Sequence, residues 1–138
     1  MIGKIINKYE NINTGAIRSA AADFITSFNN LKKDTENFFP MNTNAKYDNT
    51  FNEKYNEIMG EITTMTNICT YLNDDLLTSI DNYNSYYNST YSEHYNSYSC
   101  DYNLWITDSE KYSQPTTYYI EEDEKILSSY ESRISEYI

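Results

Sequence analysis

The stretch FNEKYNEIMGEITTMTNICTYLNDDLLTSIDNYNSYY, residues 51–87, decides the fold. Its apolar side chains recur mostly at four- and three-residue steps: Phe51, Tyr55, Ile58, Ile62, Met65, Cys69, Leu72, Leu76, Ile80, Tyr83 and Tyr87. A strand repeats every two residues, so no β pattern survives eleven positions at this spacing. The run is one face of a single long helix, which must lie against something equally long. Met59, Ile68 and Leu77 widen the stripe beyond what one neighbour covers, so the last helix or a second chain must supply another.

Upstream, Ile5, Tyr9, Ile12, Ala16, Ala20, Phe24, Phe28 and Leu31 form a second helical stripe, and the spacing predicts a helix over about 2–37. Asn13-Thr14-Gly15 is its weak point, because glycine costs about 1 kcal/mol against alanine inside a helix. Thr14 could instead cap a helix starting at Gly15. The stripe keeps its phase across the interruption, which favours one kinked helix. Pro40 ends that helix by pushing Phe39 out of the α region. Met41 to Ala45 reads as a short connection, with Asn42, Thr43 or Asn44 able to cap the next helix. Two long helices joined so briefly must fold back antiparallel.

The second helix is expected over about 46–95. Tyr83, Tyr87, Tyr91 and Tyr95 carry its face into a segment of tyrosine, asparagine and serine that otherwise resembles low-complexity sequence. Residues 99–115 read as a loop, with Trp105 as an anchor into the core. A last helix over about 117–137 starts after Pro115, with Thr116 or Thr117 as cap. The expectation is an all-α single domain over 1–138. It is a long antiparallel hairpin with a shorter third helix, closing as a three-helix bundle or, on dimerisation, a four-helix bundle.

The charge is lopsided. The chain has 138 residues and a formal net charge of −11, with +2 on residues 1–46 and −13 on residues 47–138. Direct binding to nucleic acid is not expected, since that needs cationic surface. No stretch is apolar enough for a membrane span, and Met1 to Lys8 lacks a cleavable signal pattern. A cytoplasmic protein, or one secreted without such a signal, is the expectation.

Motifs for chemistry are missing. His94 is the only histidine, flanked by Glu93 and Tyr95, and reads as a surface residue. Zinc spacings are absent, and Glu53, Glu57 and Glu61 read as a solvated acidic face rather than metal ligands. Cys69 and Cys100 would stand roughly 45 Å apart along an unbroken helix, too far for a bridge. Three glycines leave no phosphate loop. Neither an enzyme, a cofactor nor a metal site is expected.

The two long helices, together with Tyr119-Ile120-Glu121-Glu122-Asp123 and Tyr71-Leu72-Asn73-Asp74-Asp75, carry a resemblance. Over roughly residues 2–95 the chain resembles the WXG family of small type VII secretion substrates and related helical-hairpin adaptors. The resemblance implies a hairpin that pairs into a four-helix bundle and a Tyr-x-x-x-Asp/Glu export motif at Tyr119 and Asp123. The family's Trp-x-Gly turn is not matched, since Pro40-Met41-Asn42-Thr43-Asn44 stands in its place and the one tryptophan is Trp105.

Two functions follow as expectations. In the first, the chain is a helical interaction protein that pairs with itself or with a helical domain of a larger protein. Phe24, Phe28, Ile62 and Leu72 are then its central contacts and Tyr119 with Asp123 its recognition pair. In the second it is an acidic inhibitor, an immunity protein or nucleic-acid mimic. Asp74, Asp75, Asp81, Glu121, Glu122, Asp123 and Glu124 would then occupy a basic groove of the target.

Overall fold

A computed structural model describes residues 1–39 and 49–138. The expected connection at Pro40 to Ala45, its caps Asn42, Thr43 and Asn44, and the helix start near Lys46 lie outside the described residues. All regular structure among the described residues is helical. The elements are α1 (Thr14–Phe38), α2 (Asn49–Tyr71), α3 (Leu77–Tyr86), α4 (Ser92–Thr107) and α5 (Tyr118–Ser135). Two π-helical turns, Leu72–Leu76 and Tyr87–Tyr91, join α2 to α3 and α3 to α4. The chain is therefore helical from Asn49 to Thr107, with no break between Phe51 and Ile80.

The π turns follow from the spacing of the apolar residues. An α-helix advances about 100° per residue, so each four-residue step overshoots a full turn by about 40°. Alternating three- and four-residue steps cancel the drift, but Leu72-Leu76-Ile80 and Tyr83-Tyr87-Tyr91-Tyr95 use only fours. A π turn winds in one extra residue and resets the face. Each π turn sits inside one of these runs of fours.

The chain divides into two compact units, Asn13–Leu77 and Met1–Ile12 with Thr78–Ile138. In the first unit, the Asn13 side chain caps α1 by accepting from the Ala16 N–H at 3.0 Å. Helix α1 packs along α2 and reaches the Leu72–Leu76 turn. Phe39, just past α1, meets Phe51 near the start of α2 with ring centroids 5.6 Å apart. Farther back along α1, Phe24 and Phe28 line one apolar pocket with Met65, Ile68 and Cys69 farther on in α2. Ala21, Ile62, Leu76 and Leu77 are buried.

In the second unit, α5 packs on α4 and on the Tyr87–Tyr91 turn. Ile80, Tyr83, Tyr91, Ile120, Leu127 and Ile134 are all but fully buried. Each such aliphatic side chain stabilises the fold by about 1.5–3 kcal/mol through area removed from water.

Three boundaries depart from the sequence reading. Residues 2–12 are not helical, because Asn13 starts α1 there and the backbone of the preceding segment finds other partners. The long helix does not stop near 95 but runs to Thr107, so the loop expected over 99–115 is confined to 108–117. Tyr98, Tyr102 and Trp105 continue the ring ladder, and no proline stands between Asn49 and Pro115. Trp105 thus sits half-buried on α4, edge-on to Tyr102, rather than in a loop. At α5, Thr117 holds the cap position but spends its hydroxyl on Glu121 at 3.1 Å. Thr116 instead accepts from the Tyr118 N–H. Cys69 is half-buried, Cys100 is exposed, and neither is bridged.

Candidate functional site

Two places concentrate unusual chemistry, one in each unit. The first is an apolar surface on α1 and α2. Ile17, Phe24 and Leu31 are seven residues apart on α1, as are Ile58 and Met65 on α2, so on each helix they share a face. All five are exposed, Phe24 by 57% and Met65 by 51%, and Ile68 beside them by 55%. Phe24, Phe28, Met65, Ile68 and Cys69 line an open pocket of about 230 Å³ with no polar wall. Apolar side chains are left in contact with solvent here, and Phe24, Phe28, Met65, Ile68 and Cys69 meet around one pocket.

The second place is a polar cluster centred on Asp123. Helix α5 carries Asp123 on the stripe of Ile120, Leu127 and Ile134, so its carboxylate is buried, with 2% of the residue exposed. Its Oδ1 accepts from the Tyr86 hydroxyl at 2.7 Å, and its Oδ2 lies 2.6 Å from His94 Nδ1. A carboxylate offers only acceptors, so the imidazole donates from Nδ1, and Asp123 fixes its orientation. His94 lines a cleft of about 310 Å³ with Ser97, Tyr98, Asp101, Pro115, Thr116, Tyr119 and Ile120. The Tyr119 ring lies 5.5 Å from the imidazole. Burial, with the hydrogen bond to Asp123 and its charge, pushes the Tyr86 phenol up to about 12, which keeps it a donor. An oriented imidazole in a cleft can hold a ligand or move a proton. Among the described residues, no group of three histidine, cysteine or acidic side chains is placed to hold a metal ion.

The residues singled out from sequence fall unevenly on these places. Phe24 and Phe28 line the apolar pocket. Ile62 is buried, and Leu72 is half-buried in the first π turn. Tyr119 is 58% exposed, whereas Asp123 is buried, so the two do not form one accessible pair. Of the seven acidic residues, Asp74 and Glu121 are exposed, and Asp75, Asp81, Glu122 and Glu124 are half-buried. Asp123 faces inward because it shares the apolar stripe of α5, at i+3 from Ile120 and i−4 from Leu127. Glu122 pairs with Lys125 at 2.9 Å. Glu53, Glu57 and Glu61 are exposed as expected, with Glu57 3.4 Å from Lys54.

His94, expected at the surface, is half-buried and engaged. Sequence reasoning missed it because its partner lies 29 residues away. The available signal was an aspartate on the apolar stripe of α5. No protein family, curated protein or solved structure matches this chain.

Proposed function

We propose that this chain is a helical interaction protein. In this reading α1 and α2 form an antiparallel hairpin whose exposed apolar face takes the same face of a second copy, completing a four-helix bundle. The observation that carries the reading is the set of half-exposed apolar side chains Ile17, Phe24, Leu31, Ile58, Met65 and Ile68, three of which meet around one open pocket. Covering the exposed half of each such side chain is worth about 1 kcal/mol, so twelve of them in a symmetric pair supply roughly 12 kcal/mol. Association costs on the order of 4–15 kcal/mol in lost freedom, so a reversible dimer is the expected scale. Self-pairing needs no complementary charge, and none of the residues lining the pocket between Phe24 and Ile68 is charged. Export as a secreted substrate, which the resemblance to the WXG family implies, is compatible with this reading and would rest on Tyr119.

The test is solution mass by sedimentation over a concentration series, for the parent chain and for Phe24→Glu with Ile68→Glu. A concentration-dependent two-chain mass in the parent, lost in the double variant while helical circular dichroism is kept, is expected. A one-chain mass at every concentration refutes the reading.

A further inference from the structure

The non-helical residues 1–12 lie against the tyrosine face that runs from α3 through the Tyr87–Tyr91 turn into α4, and they are held mainly through their backbone. Tyr98 accepts from the Ile2 N–H at 3.2 Å, and Tyr95 donates to the Ile2 carbonyl at 2.7 Å. Tyr91 accepts from the Ile5 N–H at 2.7 Å, and Tyr87 donates to the Ile5 carbonyl at 2.6 Å. Farther along, Asn84 bonds Asn7 at 2.9 Å and the Tyr9 carbonyl at 3.3 Å, and the Tyr9 ring stands edge-on to Tyr83 at 4.9 Å. Two hydroxyls therefore bracket residue 2 and two more bracket residue 5.

The spacing is a vernier. Tyr98 and Tyr91 are seven residues apart, about 10.5 Å of helix. Three residues of chain span at most about 10–11 Å, so the segment is near full extension and runs opposite to the helix. A tyrosine ladder with this repeat reads N–H and C=O groups, which every non-proline residue offers, so it does not depend on the side chains of its occupant. Charge narrows the choice. Residues 78–138 carry three Lys/Arg against eleven Asp/Glu, while residues 1–9 carry Lys4 and Lys8 and no acid. Lys4 Nζ lies 5.9 and 5.7 Å from the Tyr87 and Tyr95 rings, and Lys8 pairs with Glu131. Ile6, on the same segment, is left exposed.

We propose that the tyrosine face from α3 through the Tyr87–Tyr91 turn into α4 is a receptor for an extended, lysine-bearing peptide segment of another protein, and that residues 1–12 occupy it as a displaceable strap. The site is separate from the α1–α2 surface and does not rest on self-pairing there. Its occupant needs donors and acceptors on residues three apart, no proline at those positions, and a cation between them to lie over the rings.

The probe is a fluorescein-labelled peptide with the sequence of residues 1–12, added to the full chain and to Asn7→Ala with Lys8→Glu, which loosens the strap and leaves every tyrosine in place. Saturable one-to-one binding is expected, at least tenfold tighter to the loosened variant. Changing Lys4 and Lys8 of the peptide to glutamate should weaken it at least tenfold. In hydrogen exchange of the full chain, the Ile5 amide should exchange at least a hundredfold faster than the amides of Leu127 and Ile134, and faster still with excess peptide. The proposal is overturned if the peptide binds neither chain, or binds without changing Ile5 exchange. It is also overturned if Ile5 exchanges only on global unfolding, or if the loosened variant loses its helix. A two-chain species that forms without taking up peptide would mean the strap passes between copies, and the foreign-peptide reading would fall.

Discussion

Replacing Asp123 by alanine removes the carboxylate that joins α5 to Tyr86 and His94. Each of its two hydrogen bonds involves an ionised acceptor and is worth about 1.5–3 kcal/mol. Part of that is returned, because the variant no longer buries a charge, and the half-exposed His94 can turn to water. A net loss of about 2–3 kcal/mol is expected. Asp123→Asn keeps the shape and one acceptor, so it should cost about 1 kcal/mol, and the order alanine worse than asparagine is the informative part. Urea unfolding followed by far-ultraviolet circular dichroism gives both values, with the slope unchanged if the effect is on the folded state. In a double-mutant cycle, Tyr86→Phe should couple to Asp123→Asn by about 1 kcal/mol. The reasoning is refuted if Asp123→Ala is as stable as the parent within about 0.5 kcal/mol, or if asparagine costs more than alanine. The result bears on export as well. A failure of Asp123→Ala to reach the medium would report folding rather than recognition of a motif.

Export is better probed at Tyr119, whose exposed ring can change with little effect on the core, and Tyr119→Ala should stop release while thermal stability stays near the parent's. Unchanged release removes the motif from consideration. Burial holds the phenols of Tyr9, Tyr83, Tyr87 and Tyr91 above their ordinary value, and Tyr86 lies at about 12. The folded state thus prefers the protonated phenols. The stability this confers is whole below about pH 10, the unfolded value, and is lost as pH rises towards 12. Absorbance titration at alkaline pH should show these tyrosines ionising late, together with loss of helix. All sixteen ionising together near the ordinary value with the helix intact would contradict it. Leu127→Ala, at a fully buried position, should cost about 2–4 kcal/mol in urea unfolding, and a loss under 1 kcal/mol would mean the site is less packed than described. A Cβ at Gly60 meets nothing within 4 Å, so Gly60→Ala should raise stability by about 0.5–1 kcal/mol, and a destabilised variant would show that α2 is covered at that point.

What the sequence made legible was the helical character of the chain. Eleven apolar positions at helical spacing leave no other secondary structure, and the described residues are helical over that run, with one long joined helix. The ends were harder. Periodicity kept its phase through Asn13-Thr14-Gly15 and therefore could not show that Asn13 starts α1 afresh. Nor does the period reveal that Ile2 and Ile5 are more useful as backbone to the tyrosine hydroxyls than as side chains on a helix. The apolar surface at Phe24 and Phe28 was readable because it is a local pattern on one helix. Asp123, His94 and Tyr86 meet across 29 and 37 residues, and no local pattern encodes such a meeting. A count of acidic residues treated Asp123 as one of seven equals, when its place on the apolar stripe of α5 set it apart.

The π turns make this helical run tolerant of length in an unusual way. Each hides a supernumerary residue that plain α winding would have no room for. Deleting Asn88 would leave steps of four, three and four from Tyr83 to Tyr95, which ordinary α winding brings round to within about 20° of three full turns. The coil would relax to its usual pitch with Tyr91, Tyr95 and Tyr98 still near the line of Tyr83. The same codon lost outside a π turn would swivel everything after it by about 100°, so the place of a deletion, more than its size, decides whether the rings stay aligned.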